Sequence, residues 1–178
     1  MLTAHSDSIL REIVTKYGSL EEPDFAFQSS VIATRPFAPL LDELLVHFFV
    51  RDTTRGYQDA GFTYVLRHNH QEWTLQLSMV GRYGVLFRNG DAGHSLIEPM
   101  EIDESREENL ILHLARKYRV ALLGENILAK PVRLRLFYTV PQNVRVYHAL
   151  FSEVEAFQWK GIAGPFATQR PAEMAACV

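Results

Sequence analysis

Residues 62–79 read FTYVLRHNHQEWTLQLSM, and this stretch decides the fold. Phe62, Tyr64, Leu66 and His68 alternate with Thr63, Val65 and Arg67, and Trp73, Leu75, Leu77 and Met79 alternate with Thr74, Gln76 and Ser78. Side chains along a strand point to opposite faces in turn, so each half presents one large apolar face. Asn69 to Glu72 supplies turn residues between the halves. The simplest antiparallel register sets Phe62 opposite Met79, Tyr64 opposite Leu77, Leu66 opposite Leu75 and His68 opposite Trp73. All four pairs then share a face, which a one-residue slip would destroy. Gly81-Arg82 suits a tight turn, Tyr83 to Arg88 returns as a third strand, and Asn89-Gly90 ends it.

Working outward toward the N-terminus, Pro39 suits the first turn of a helix over Leu40 to Val50. Leu40, Leu41, Leu44, Leu45, Phe48 and Phe49 cover most of its circumference, which predicts deep burial. Phe25 to Thr34 reads as a strand with Phe25, Phe27 and Val31 on one face, broken by Arg35-Pro36. Ser6 to Tyr17 reads as a helix with an apolar stripe of Ile9, Leu10, Ile13, Val14 and Tyr17, stopped by Gly18. Toward the C-terminus, Asp91 to Met100 is irregular or a short strand. Ser105 and Glu108 form an S-x-x-E capping box for a helix to about Arg119, with Ile111, Leu114, Ala115 and Tyr118 buried. Leu122 to Ala129 holds a short strand or a helical turn. Val132, Leu134, Leu136 and Tyr138 alternate with Arg133, Arg135 and Phe137 as another half-buried strand, and Val144 to His148 adds an edge strand. The class predicted is α+β: residues 1–166 form one domain, a largely antiparallel sheet packed with helices, and residues 167–178 a frayed tail.

Composition narrows the function. Eleven Phe, seven Tyr and two Trp among 178 residues provide enough large apolar side chains for a self-sufficient core. A net charge of −3 lacks the electropositive footprint of a nonspecific nucleic-acid binder. The one cysteine, Cys177, excludes an intrachain disulfide framework and favours the reducing cytoplasm. Met1 to Ile9 lacks the basic start of a secretion signal, and Leu44 to Val50 is too short to span a bilayer.

Chemical motifs are sparse. The chain contains neither G-x-x-x-x-G-K-[ST], G-x-G-x-x-G nor G-x-S-x-G. His68 and His70, with Glu72 or His94 as a third ligand, are the best metal candidates. A polar hairpin tip explains them more simply, so neither metal nor cofactor is expected. His113 and His148 read as partly buried structural histidines. Arg67, Arg133 and Arg135 fall on outward strand faces with Thr63, Thr74 and Gln76 around them, as a solvated face or a basic patch with Phe137 as its aromatic. The charge distribution is the most unusual feature. Glu98, Glu101, Asp103, Glu104, Glu107 and Glu108 face a single Arg106 within residues 98–108, and seven basic residues face only Glu125 within residues 116–145. Helix-end electrostatics accounts for acids in the first turn and for Arg116, Lys117 and Arg119 in the last. Glu98, Glu101 and Asp103 precede the helix, and recognition of a basic partner is the natural use for the set.

The stretch from Glu107 to Trp159 resembles the C-terminal half of small bacterial immunity proteins of polymorphic toxin systems. The resemblance lies in the capped helix, the short element Leu122 to Lys130 with Pro131, the strand after it, and Val146-Tyr147-His148-Ala149-Leu150-Phe151 running towards Trp159; it covers under a third of the chain. It implies a non-catalytic cytoplasmic α+β protein that binds and neutralises one cognate toxin, and the six acids suit a basic, nuclease-like toxin. Two other readings stay open: a small-molecule-binding or enzymatic domain with its site near His68 and His70, and a structural subunit of a larger assembly.

Overall fold

The computed structural model describes residues 6–56, 59–91, 93–99 and 105–153. The chain runs α1 (Ser6–Tyr17), α2 (Phe27–Thr34), α3 (Ala38–His47), β1 (Phe49–Asp52), β2 (Gly61–His68), β3 (Gln71–Ser78), β4 (Tyr83–Gly90), β5 (Gly93–Leu96), α4 (Arg106–Lys117), β6 (Ala121–Leu122), α5 (Glu125–Leu128) and α6 (Val146–Leu150). Five strands form an antiparallel sheet in the order β1-β2-β3-β4-β5, and β6 joins β4 in parallel. The architecture is α+β, as expected.

The two faces of the sheet carry different cores. On one, Phe62, Tyr64, Leu66, Trp73, Leu75 and Leu77 pack with Leu40 and Leu44 of α3 and Ile111, Leu114 and Ala115 of α4. On the other, Val85 and Phe87 pack with Ile9, Ile13 and Tyr17 of α1 and Tyr147, Ala149 and Leu150 of α6. The Tyr17 hydroxyl donates to the Ala149 carbonyl at 2.9 Å, tying α1 to α6, and burial pushes this phenol well above its usual range. Helices on both faces explain why Thr74, Gln76 and Ser78 are buried although the alternation marked them as outward.

The hairpin faces are as read, but the register differs by two residues. Phe62 pairs with Leu77, Tyr64 with Leu75, Leu66 with Trp73 and His68 with Gln71. Only Asn69 and His70 make the turn, and Asn69 adopts a left-handed φ of 53° that Asn tolerates. A two-residue shift keeps every side chain on its face, so the apolar pattern fixes parity and not register. The β3–β4 connection is also wider than a two-residue turn on Gly81-Arg82, since Leu77 pairs with Gly84.

Three other expectations are corrected. Phe25 to Thr34 is not a strand: Asp24 Oδ1 accepts from Ala26 N–H at 2.8 Å, the chain turns, and α2 follows. Phe25 and Phe27 both meet Tyr17 edge-on, with ring centres 5.4 and 5.2 Å away, so tertiary packing decides this segment. The helix from Pro39 ends at His47 rather than Val50, because Phe48 turns extended and seats its ring against Trp73 and His68 while β1 begins. That helix is buried along Leu40 and Leu44 only, with Leu45 and Val46 on its open side. Val144 to His148 is not an edge strand: residues 146–150 form α6, where His148 Nδ1 accepts the Arg145 N–H at 3.0 Å. The expected flexible tail, residues 167–178 with Cys177, lies outside the described residues, as does Trp159.

Candidate functional site

The six acids separate once they are placed in the fold. Ser105 caps α4, its hydroxyl accepting from Glu108 N–H at 3.3 Å. The Glu108 side chain does not face solvent, which corrects its assignment to a partner-binding surface: it is 1% exposed. Its Oε1 accepts from Trp73 Nε1 at 2.8 Å, and Arg88 donates Nε to Oε1 and an Nη2 N–H to Oε2, each at 2.7 Å. This bidentate pair and the indole bolt α4 to the centre of the sheet. Glu98 also has internal work. Its Oε1 accepts from Glu125 N–H at 2.9 Å, supplying to α5 the cap that its N-cap residue Gly124 has no side chain to give. Glu107 is half-buried beside the Ser105 hydroxyl. Glu101, Asp103 and Glu104 lie outside the described residues.

At the hairpin end, His68 pairs with Gln71 while His70 sits in the exposed turn, so the two histidines do not share a strand face. Glu72 accepts from Arg67 at 2.7 Å and from Asn89 at 2.9 Å, and these bonds, Arg67 first, hold its carboxyl below the usual range. Asn89 Oδ1 in turn meets His94 Nδ1 at 2.7 Å and accepts from the Thr74 hydroxyl at 3.0 Å. A polar chain thus crosses β2 to β5. Among the described residues, no three His, Cys, Asp or Glu side chains gather in a metal-holding group.

Residues 132–138 form the most distinctive surface. Val132, Leu134 and Leu136 turn inward and Arg133, Arg135 and Phe137 outward, as the alternation predicts, but the segment is not a strand of the sheet and the chain bends at Phe137 and Tyr138. The arginines therefore do not join Arg67 on a sheet face, and Tyr138, expected inside, is outside. Phe137 is 77% exposed and Tyr138 73%. The ridge is fixed from both sides. Arg135 N–H donates to the Leu20 carbonyl at 2.8 Å, and the Glu153 carboxylate accepts from Phe137 N–H at 3.3 Å and Tyr138 N–H at 2.5 Å. Phe25 lies 5.3 Å from the Phe137 ring. An open groove of about 650 Å³ runs beside it, lined by Leu20, Glu21, Arg133, Leu134, Arg135, Pro141 and Gln142.

His148 is buried, as anticipated, and burial followed by the nearby Arg145 lowers its pKa to about 4. His113, by contrast, is exposed on α4. Asp59 is buried; desolvation raises its pKa against the opposing hydrogen bond from Ser152. No helix among the described residues is long and apolar enough to cross a membrane. Comparison with family models, with curated proteins and with solved structures finds no match.

Proposed function

We propose that this chain is a non-catalytic protein-binding protein of the immunity type, which binds and neutralises a cognate toxin in the cytoplasm. The observation that supports it best is the ridge of Arg133, Arg135, Phe137 and Tyr138. Two large aromatic rings held in the open beside two arginines are the residue types that dominate binding energy at protein interfaces. The backbone beneath them is fixed by Leu20 and Glu153, so little order need be gained on binding. Glu101, Asp103, Glu104 and Glu107 have a separate role in this reading: they attract a basic toxin and raise its association rate in a salt-dependent way. Glu98 and Glu108 drop out of that role because each is committed inside the fold.

The test is protection from toxicity. The reading frame next to this chain's gene is expressed with and without the chain, and growth is followed. Protection is expected from the native chain and not from a Phe137→Ala/Tyr138→Ala variant that retains native circular dichroism. A neighbouring product that is harmless, or equally harmful in both cases, would reject the reading. Reversal of Glu101, Asp103, Glu104 and Glu107 should slow association and flatten its salt dependence; unchanged kinetics at two salt concentrations would reject the acids' role alone.

A further inference from the structure

β1 is the terminal strand of the sheet: it pairs with β2 on one side, and among the described residues no strand pairs with it on the other. Which of its backbone groups point outward follows from the ladder. Thr53 N–H donates to the Thr63 carbonyl at 2.8 Å, and the pairs Arg51–Val65 and Phe49–Arg67 continue in phase with it. Antiparallel ladders bond at every second pair. Phe49 and Arg51 therefore turn their N–H and C=O groups toward β2, while Val50 and Asp52 turn theirs away from the sheet. Phe49 is 65% exposed on this edge, and Leu45 and Val46, in the helical turn just ahead of it, are 56% and 75% exposed.

We propose that this edge is a self-association surface, on which β1 of a second copy pairs antiparallel about a two-fold axis through Val50. Outward-pointing groups must meet outward-pointing groups, which leaves two-fold registers centred on Phe49, Val50, Arg51 or Asp52. Centring on Phe49 relies on Phe48–Val50 pairs alone, and the Phe48 N–H already donates to the Leu44 carbonyl at 2.9 Å. Centring on Arg51 sets two guanidinium side chains directly opposite each other. Centring on Asp52 opposes two carboxylates and calls on the Thr54 N–H, which already donates to Asp52 Oδ1 at 2.9 Å. Like charges directly opposite destabilise a ladder. Centring on Val50 opposes no like charges and keeps the central Val50 pair and the Asp52 N–H to Phe48 carbonyl bonds, although the Phe48 N–H is already given to the Leu44 carbonyl at 2.9 Å. It sets each Arg51 opposite Phe49 of the partner subunit, in the closely spaced, non-hydrogen-bonded type of pair. A guanidinium over an aromatic ring is attractive, and the contact covers the most exposed ring of the strand. The charges that normally blunt a short edge against indiscriminate pairing here select one register and one partner, the chain itself.

Sedimentation equilibrium of the full chain, from micromolar to millimolar concentration, tests this. The mass is expected to rise from 20.4 kDa toward twice that value. Val50→Pro removes an outward N–H and changes a side chain that packs against the core, but no β1–β2 backbone bond, so it should leave the ladder and the circular dichroism intact while holding the mass at that of the monomer. Arg51→Glu should weaken the dimer about tenfold or more by losing two cation–π contacts. It carries the test if the proline variant fails to fold. A native chain that stays at 20.4 kDa throughout, or a dimer that both substitutions leave unchanged, overturns the proposal.

Discussion

Replacing Glu108 with alanine should be among the more damaging single changes in this protein, although the sequence places Glu108 in a run of surface-like acids. The carboxylate is 1% exposed and accepts hydrogen bonds from Trp73 Nε1 and, bidentately, from Arg88. Alanine leaves the buried indole N–H without its acceptor, which costs about 1–3 kcal/mol. It also breaks a charged pair; one buried on both sides would cost about 3–5 kcal/mol. The Arg88 side chain is 47% exposed and can turn to water, so most of that second penalty is relieved. The net expectation is a loss of about 2–4 kcal/mol. Glutamine keeps an acceptor for the indole and gives up only the charge, so Glu108→Gln should cost about 1–2 kcal/mol. The Ser105 cap bonds the backbone N–H of residue 108 and survives in both variants. Urea unfolding followed by far-ultraviolet circular dichroism measures the difference, with Glu107→Ala as the neighbouring control at about 0.5 kcal/mol or less. If Glu108→Ala unfolds within about 0.5 kcal/mol of the native chain, the attribution of this stability to the Trp73–Glu108–Arg88 contacts is refuted.

Leu75→Ala, at a fully buried position in the middle of the sheet, should cost about 2–5 kcal/mol in the same assay. Glu98→Ala removes the cap on α5 and should cost about 0.5–2 kcal/mol, whereas a carboxylate serving only partner recognition would leave stability unchanged. His148 has its pKa lowered from 6.5 to about 4, so the unfolded chain takes up this proton at a higher pH than the native one. Its contribution is therefore fully present above pH 6.5 and is lost as the pH falls toward 4, up to about 3 kcal/mol. His148→Gln should flatten the stability profile in that window, and a mutant profile parallel to the native one would contradict this.

Long periodic segments were legible and short apolar ones were not, for physical reasons visible at particular residues. Ile9, Ile13 and Tyr17 repeat at helical spacing before Gly18, whose φ of 70° ends α1 as read. Ser105 caps α4 as read. The segments 25–34 and 144–148 are short, apolar and rich in aromatic and β-branched residues, and in such stretches periodicity alone does not separate helix from strand. Non-local contacts decided them: Tyr17 holds Phe27 at the start of α2, while Tyr147 in α6 meets Phe87 of β4 edge-on at 6.5 Å. The hairpin shows the complementary limit. Its faces follow from a period of two, yet nothing in that period distinguishes Leu66 opposite Leu75 from Leu66 opposite Trp73, and the choice fell to how tightly Asn69 and His70 turn.

The candidate site follows the same logic, and part of what was missed was present in the sequence. Charge counting along residues 98–108 treats all six acids alike, because it has no third dimension. Helical spacing does not. Glu108, Ile111, Leu112 and Ala115 stand at i, i+3, i+4 and i+7, so Glu108 belongs to the buried stripe of α4, while Glu107 falls beside it. A carboxylate on a buried stripe needs donors, and a tryptophan on the apolar face of a central strand needs an acceptor for its N–H. Trp73 and Glu108 satisfy each other. Two such unmet needs in one sequence are a pairing signal stronger than proximity of like charges. No comparable clue marked Glu98, since the α5 turn it caps starts twenty-seven residues later at Glu125 and only the fold brings them together. Recognition of a basic partner should therefore be sought at Glu101, Asp103, Glu104 and Glu107. Substitutions at Glu98 and Glu108 would destabilise the chain, and any loss of binding that follows would mimic a recognition effect that they do not report.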